Sequence, residues 1–281
     1  MIMINMTHKT TKIMDANVHY WSLNESGPQP IILVHGFRGN HKALVEVANK
    51  LAKDRHVILV DLPGHGQSSS LANSTMGNFA QFLDEFIRYL DLKSFDLWAH
   101  SFGGSIAMMY VSMYQPQNLR SLILVSPALQ SKTISPVTGL MKIYYKLATI
   151  MPPKMQRVWL ASKTIDHISS KFMIKNVSHA KRQQMIEDGR SNLKEIQPRV
   201  LIEVSLNYLE TNFSKLPGKI TVPTLVIAGE LDRLVSVKQL KSLSEQITNS
   251  TFEIVPKHGH LSPIEVPEHI TQVTEKFLYK Y

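Results

Sequence analysis

Short apolar runs alternate with longer amphipathic stretches along the first 126 residues of the chain. Strands that are covered by helices on both faces carry apolar residues almost continuously, so each run predicts a buried parallel strand. Apolar residues that recur every three or four positions predict the helices between them. The predicted strands are 31–34, 56–60, a strand beginning at Phe95, and 121–125, and the predicted helices are 41–53, 76–90 and 105–114. This order predicts an α/β fold with a doubly wound, mostly parallel sheet.

The two ends of the chain extend this sheet. Two β-like runs, 12–14 and 18–23, predict an opening hairpin. Strand signals also return late in the chain, after a long interval. The late strands are 224–228 and 251–255, with a helix at 237–247 between them and a last helix at 267–279.

The interval from residue 127 to residue 218, called the inserted segment below, has a different pattern. Its apolar residues have helical spacing, prolines and glycines interrupt it, and it contains no clear strand. We therefore expect one core domain built from residues 1–126 and 219–281, with the inserted segment as a helical cap.

The stretch Phe95 to Gly104 reads Phe-Asp-Leu-Trp-Ala-His-Ser-Phe-Gly-Gly. An apolar strand meets a helix with no room for a loop, which is typical of a nucleophile elbow, where a serine hydroxyl stands on a strained turn above the sheet. Ser101 is the candidate nucleophile. The usual pattern has glycine two residues before the serine; here Ala99 adds one methyl group, which we expect the turn to tolerate with tighter packing.

A serine needs a base to take its proton and a carboxylate to orient that base. Asp232 follows the strand at 224–228 and His260 follows the last strand, so both are expected at the carboxyl edge of the sheet. The order Ser, acid, His is the one that this elbow architecture uses. Asp232 is preferred over Glu230, and His260 over His258.

A further histidine and a further acid position are weighed for these roles, and neither fits. His100 adjoins the nucleophile, but adjacent side chains on a tight turn diverge, so we expect it to pack in the loop. The alternative acid position after the strand at 121–125 is empty, because Ser126-Pro127-Ala128-Leu129 contains no carboxylate.

A developing oxyanion needs two donors aimed at it, and each is worth about 3 kcal/mol. The N–H of Phe102 begins a helix, where the helix dipole also favours negative charge. The second donor is expected in the loop after the strand at 31–34, with Phe37 as the candidate. Arg38 beside it is interpreted either as a substrate contact or as an exposed loop cation.

Other polar clusters receive structural interpretations. The glycines and proline of 61–68 predict a tight turn, with Asp61 accepting backbone N–H groups. The histidines do not cluster at metal-ligand spacings, and no glycine-rich loop has the lysine or spacing of a phosphate site. We expect no metal.

Composition limits the remaining choices. The 281 residues are 43% hydrophobic, enough for a real core, and contain no cysteine, which excludes disulfides, thiolate nucleophiles and cysteine-bound metals. No apolar run reaches the roughly 18 residues of a membrane-spanning helix. The first six residues lack the features of a signal peptide. A cytoplasmic location is the expectation.

The net charge of +9 is concentrated in the inserted segment, where fourteen basic and six acidic side chains leave a surplus of eight. Such a field attracts acidic partners: an anionic small-molecule substrate, an acidic carrier protein or an anionic lipid surface. Nucleic acid is disfavoured, because no recognised nucleic-acid module accompanies the charge. The alternative is a solvated surface with no partner.

An apolar stripe in the inserted segment is interpreted either as one wall of an acyl or aryl pocket or as packing within the segment. Trp159 is its candidate substrate-binding residue. The stripe comprises Met141, Tyr144, Tyr145, Leu147, Met151, Trp159 and Leu160.

Together these motifs resemble the α/β-hydrolase superfamily. The residues that carry the resemblance are His35-Gly36-Phe37, the stretch 61–68, Ala99 to Gly104, Gly229 to Asp232, and Gly259-His260 with Glu265 and Pro267 after it. The resemblance spans most of the chain outside the inserted segment. It implies a cofactor-free Ser-His-Asp hydrolase with a helical cap over its site, and Ser101 disfavours the aspartate-nucleophile relatives.

The motifs do not identify the subfamily. We expect hydrolysis of a carboxylic ester of a small or acyl-chain substrate. Carbon–carbon bond hydrolases, lactonases, carrier-protein methyl-ester esterases and menaquinone-pathway lyases share the framework and differ mainly in the cap. A binding protein that kept the fold is the alternative from a different class.

Overall fold

The computed structural model describes residues 5–129, 136–162, 167, 170–213 and 215–281. Within them, eight strands form one sheet in the order β1-β2-β4-β3-β5-β6-β7-β8. Only the pairs of β2 with β1 and with β4 are antiparallel. The strands are β1 Met6–Ile13, β2 Ala16–Leu23, β3 Ile31–Val34, β4 Val57–Val60, β5 Phe95–His100, β6 Leu119–Val125, β7 Thr224–Gly229 and β8 Ser250–Val255.

The five helices predicted for the core form with shifted ends, the inserted segment was predicted as helical without bounds, and the short helix Ser262–Glu265 was not predicted. The helices are α1 Val45–Leu51, α2 Met76–Tyr89, α3 Phe102–Tyr114, α4 Pro136–Thr149, α5 Pro153–Leu160, α6 His179–Glu195, α7 Pro198–Glu210, α8 Val237–Glu245, α9 Ser262–Glu265 and α10 Pro267–Leu278. Short 3-10 turns occupy His41–Leu44 and Pro217–Lys219, and residues 170–173 are also helical. The predicted helix at 41–53 therefore begins as a 3-10 turn, where the Asn40 side chain accepts the N–H of Lys42.

Both faces of the sheet are covered, which explains the continuous apolar runs. Along β3, Ile32 and Val34 belong to the core under α2, α3 and α8, whereas Ile31 and Leu33 belong to the core under α1 and α10. Because side chains alternate across a strand, a strand buried on both faces needs an apolar residue at every position.

The first strand is longer than the sequence predicts. β1 begins at Met6, six residues before the predicted run at 12–14. It is an edge strand paired only with β2, so most of its side chains are exposed or half-buried and carry polar residues. A polar edge strand lacks the apolar run that marks a buried one.

The candidate site lies at the carboxyl ends of the parallel strands. β3, β5, β6, β7 and β8 are neighbours in this order, with Val34 opposite Ala99 and Gly229 opposite Val255. The loops that follow β3, β5, β7 and β8 therefore meet at one edge of the sheet, as in other open α/β sheets.

In the inserted segment, the described residues form helices and no strand. Its α7 packs on the core: the methyl groups of Val200 fill the space beside Gly64, and Arg199 donates to the carbonyl oxygens of Leu71 and Ala72 at 3.0 and 2.7 Å. Lys132, Lys163 and Asp166, which contribute to the predicted charge, lie outside the described residues. No helix in the described part of the chain is long and apolar enough to cross a membrane.

Candidate active site

Ser101 stands on a strained turn between β5 and α3. Its φ of 52° and ψ of −116° are rare for a residue with a side chain. The turn is held by the Ser101 N–H, which donates to Val125 O at 2.9 Å, and by the Ser101 carbonyl, which accepts the Ser105 N–H at 3.1 Å. The strained turn is thus held by one hydrogen bond to the neighbouring strand β6 and by one to helix α3.

The glycine after Phe102 is required by close packing. A Cβ at Gly103 would lie 2.5 Å from His35 O, so the loop after β3 could not stay against the elbow. At Gly104 the obstacle would be the Pro127 ring, 2.8 Å away. These contacts explain why both positions lack side chains.

The structure brings Ser101, His260 and Asp232 together. Ser101 Oγ lies 2.7 Å from His260 Nε2, and His260 Nδ1 lies 2.8 Å from Asp232 Oδ2. Nδ1–H donates to the carboxylate, which leaves Nε2 as the acceptor for the serine hydroxyl proton. All three residues are buried, with exposures of 8%, 3% and 7% in this order.

Asp232 is held in its charged form. Its Oδ1 accepts the N–H groups of Leu234 and Val235 at 2.8 and 3.0 Å, while Oδ2 faces His260. Burial by itself would raise the pKa of Asp232, but the hydrogen bond and charge of His260 and the two N–H groups outweigh it and lower the pKa. A carboxylate in this state can orient the imidazole.

The competing acid and base lie elsewhere. His258 Nδ1 donates to Pro256 O at 2.8 Å, and Glu230 accepts the Lys257 N–H at 2.6 Å. Both residues belong to turns beside the site, and both are engaged with backbone groups.

The two backbone N–H groups predicted as oxyanion donors belong to chain segments that are in contact. The rings of Phe37 and Phe102 meet edge to face at 5.8 Å, and a Cβ on Gly36 would lie 3.3 Å from Ser101 Cβ, so the loop after β3 lies directly against the elbow. Among the described residues, neither the Phe37 N–H nor the Phe102 N–H has an acceptor. This leaves both predicted donors available.

His35 fixes the loop that carries Phe37. Its Nε2 accepts the Leu62 N–H at 3.0 Å, and its Nδ1–H donates to Gly36 O at 2.8 Å. Burial lowers the pKa of His35, so the ring stays neutral and both roles are kept.

His100 packs behind the candidate base, as the sequence suggested. Its Nε2–H donates to the backbone oxygen of His260 at 2.9 Å, and the two rings lie 5.4 Å apart. Burial, followed by the neighbouring His260, lowers the pKa of His100 to about 3. A neutral His100 therefore steadies the backbone of His260.

The sequence did not reveal that the inserted segment holds the loop of His260. The His260 N–H donates to Met173 O at 3.1 Å. The buried carboxylate of Glu265 accepts the N–H of Gly259 at 2.8 Å and that of Lys175 at 2.7 Å. Glu265 stood in a recognised motif, but its distant partner is a backbone N–H that any residue type could supply.

Arg38 and Trp159, the two residues predicted to contact substrate, lie in different surroundings. Arg38 follows Phe37 with φ of 60° and is half-buried. Trp159 stacks on Tyr144 with ring centroids 5.1 Å apart, and its carbonyl accepts the Tyr144 hydroxyl at 2.8 Å. These Trp159 contacts are packing within the inserted segment, so its role as a substrate wall stays a prediction.

The turn at 61–68 has the predicted structural role. Asp61 accepts the N–H groups of His41 and Gln67 at 2.7 and 2.9 Å. A Cβ on Gly66, whose φ is 54°, would lie 2.0 Å from Asp61 Oδ2.

Over the described part of the chain, no three His, Asp or Glu side chains are grouped as metal ligands.

Comparisons with known proteins identify the family of the chain. The family profile for the alpha/beta hydrolase fold matches residues 29–267. Mouse monoacylglycerol lipase ABHD6 is 28% identical over 257 residues, which cover 88% of this chain and 75% of that protein.

Solved structures show the same fold. The thermophilic esterase from Thermogutta terrifontis superposes with a TM-score of 0.79 and 23% identity, covering 98% of both chains. The enol-lactonase from Burkholderia xenovorans LB400 gives a TM-score of 0.82 at 14% identity, over 96% of this chain and all of the lactonase.

The fold and the site define a hydrolase. The chain belongs to the alpha/beta hydrolase fold family.

Proposed function

We propose that the protein hydrolyses a carboxylic ester through an acyl-enzyme intermediate on Ser101. The observation that carries the proposal is the continuous chain of contacts from Ser101 Oγ to His260 Nε2 at 2.7 Å and from His260 Nδ1 to Asp232 at 2.8 Å. This is the arrangement that activates a serine hydroxyl.

The proposed first half-reaction uses the three side chains and both backbone donors. Ser101 Oγ attacks the ester carbonyl carbon, and its proton moves to His260 Nε2. Asp232 stabilises the imidazolium that forms, without taking its proton. The N–H groups of Phe37 and Phe102 donate to the oxyanion. When the tetrahedral species collapses, the bond from carbon to the alcohol oxygen breaks, and His260 returns the proton to the leaving alcohol.

The second half-reaction repeats these steps with water. His260 takes a proton from water, the resulting hydroxide attacks the acyl carbon, and the bond to Ser101 Oγ breaks as the oxygen regains its proton from His260. The products are a carboxylic acid and the free enzyme. No cofactor is needed for any step.

Residues 127–218 would act as the cap of this site, over the core formed by residues 1–126 and 219–281. Their contact with the His260 loop through Met173, and the packing of α7 on Gly64, support this division. Trp159 and Arg38 are the candidates for substrate contact in this arrangement.

The names of related proteins support an acyl ester as the substrate class. Mouse ABHD6 is named a monoacylglycerol lipase, and the matched chain from Thermogutta terrifontis is named an esterase. The surplus of cations in the inserted segment would further favour an acidic substrate.

The direct test is a substrate panel of acyl esters, lactones and diketones, measured with the wild-type protein and with Ser101→Ala. The proposal predicts that ester hydrolysis has the highest kcat/KM and is lost in the variant. His258→Ala is the matched control, because His258 is a neighbouring histidine that does not contact Ser101. A panel in which diketones or lactones are cleaved far faster than every ester would overturn the ester assignment.

A further inference from the structure

Helix α4 carries a row of apolar residues that faces solvent and shares only Leu147 with the stripe predicted from the sequence. Leu140, Ile143 and Leu147 recur at helical spacing, and Ile150 continues the row just beyond the helix end. Their exposures are 68%, 57%, 43% and 80%. Single exposed apolar residues are common, but a contiguous row of aliphatic side chains marks an interaction surface.

The next helix, α5, also carries exposed aliphatic residues. On α5, Met155 and Val158 are three residues apart and are 56% and 77% exposed. The inner sides of the two helices already pack through Tyr144 and Trp159. The aliphatic side chains of the two rows, in contrast, remain largely exposed.

The charged residues of α4 and α5 themselves are all basic. The sequence contains no Asp or Glu between Asp96 and Asp166. Lys146 and Lys154 are exposed, and neither forms a salt bridge among the described residues. Lys142, in the same helix as Lys146, pairs with Glu210 of α7 at 2.7 Å.

We propose that this surface docks on an anionic lipid layer. The docking face is defined by Leu140, Ile143, Leu147, Ile150, Met155 and Val158, with Lys146 and Lys154 beside them. In a lipid layer, aliphatic side chains can enter the boundary between headgroups and acyl chains while lysines lie at the level of the phosphates.

Charge and apolarity together favour lipid over the other acidic partners. An acidic protein surface would match Lys146 and Lys154 but would oppose the aliphatic row with charged side chains. A small anionic substrate would match the cations and leave the row in water. Only a layer with anionic groups above hydrocarbon complements both parts. The proposal does not depend on which bond Ser101 cleaves.

The test uses the complete wild-type chain and vesicles of ether-linked lipids, which contain no ester to hydrolyse. Co-sedimentation is compared between phosphatidylcholine alone and phosphatidylcholine mixed with phosphatidylglycerol. Docking predicts binding to the mixed vesicles that weakens as salt rises, because headgroup charge is screened. Equal binding to both compositions at all salt concentrations would overturn the anionic assignment.

Two double variants test the docking face itself. Lys146→Gln with Lys154→Gln should weaken binding to mixed vesicles by about fivefold per lysine. Ile143→Ser with Val158→Ser should weaken it by more than about tenfold, because two buried aliphatic side chains are lost. Matched controls are Met113→Ser, at an exposed apolar position of α3, and Lys276→Gln, at an exposed position of α10. Full binding by both double variants would contradict the proposal.

Two further measurements separate the alternatives. All variants should retain wild-type kcat/KM on a short soluble ester, which shows that they are folded; loss of vesicle binding with intact hydrolysis isolates docking from the proposed reaction. Sedimentation velocity tests a second copy as the occupant. A wild-type dimer that Ile143→Ser with Val158→Ser converts to a monomer would assign the face to self-association instead.

Discussion

The carboxylate of Glu265 accepts the backbone N–H of Gly259, the residue immediately before His260, at 2.8 Å. Its other oxygen accepts the N–H of Lys175 from the inserted segment at 2.7 Å. A Cβ on Gly259 would lie 2.6 Å from Met173 O, so the two chain segments are in close contact here. Glu265 thus links the inserted segment to the loop of the candidate base.

Replacing Glu265 should misplace His260 without removing it. Glu265→Ala leaves the N–H groups of Gly259 and Lys175 without their acceptor, so the imidazole loses its fixed position. We expect kcat to fall by about 10- to 100-fold with little change in KM, because small displacements of catalytic groups are costly. Steady-state kinetics on a soluble ester measures both constants.

Two variants control for a general loss of structure. Glu265→Gln keeps one carbonyl oxygen and should recover part of kcat. Glu268→Gln, at an exposed acid of α10, should behave as wild type. A Glu265→Ala protein with wild-type kcat and a lower melting temperature would show that the residue is only structural.

Buried histidines should make the fold sensitive to mild acid. Burial lowers the pKa of His65 to about 3, and the ring lies among Phe37, Phe79 and Phe102. An unfolded histidine has a pKa of about 6.5. Stability from a neutral buried ring is therefore complete above this value and is lost as pH falls from about 6.5 toward 3, by about 1.4 kcal/mol per pH unit.

Urea unfolding at pH 7, 6 and 5 measures this dependence. His65→Leu removes one titrating group, so its free energy of unfolding should fall less steeply with pH than that of the wild type. His179→Leu, at an exposed position of α6, controls for the loss of a histidine as such. Parallel curves for wild type and His65→Leu would refute the prediction.

A buried ionic cluster at the start of β5 should be important for stability. Asp96 is fully buried and accepts bonds from Arg55 at 3.3 Å, from Arg120 Nε at 3.1 Å and from the Ser121 hydroxyl at 2.6 Å. Asp96→Ala leaves two guanidinium groups without their carboxylate, which should cost about 3–5 kcal/mol of unfolding free energy.

An exposed ion pair provides the comparison for Asp96. Glu25 pairs with Lys9 at 2.7 Å on the surface, so Glu25→Gln should cost less than about 1 kcal/mol. Denaturant titration of both variants measures the difference. Equal losses in the two would mean that burial of the Asp96 cluster does not determine its contribution.

Trp159 distinguishes a substrate wall from packing within the inserted segment. If its ring contacts substrate, Trp159→Ala should raise KM for bulky esters more than for acetyl esters. The observed stacking on Tyr144 predicts a lower melting temperature as well. Equal KM changes for both esters, together with reduced stability, would remove the substrate contact and leave only packing.

The candidate catalytic residues could be predicted from the sequence because each of them directly follows a predicted strand. Ser101, Asp232 and His260 each follow a predicted strand, and parallel strands end at the same edge of a sheet, so these positions and the order Ser, acid, His together predict that the three lie close together. The hydrophobic pattern did not predict the full length of the edge strand β1, because most of its residues are polar. The sequence also could not predict that Glu265 accepts the backbone N–H of Lys175, because every residue except proline supplies such an N–H.

The most direct measurement of the proposed chemistry is peptide mapping after reaction with a fluorophosphonate, which forms a covalent bond only with an activated nucleophile. We predict a single adduct, on Ser101, that is absent in Ser101→Ala, forms far more slowly in His260→Ala and forms at the wild-type rate in His258→Ala. An adduct on a different residue, or undiminished labelling of the Ser101→Ala protein, would contradict the account.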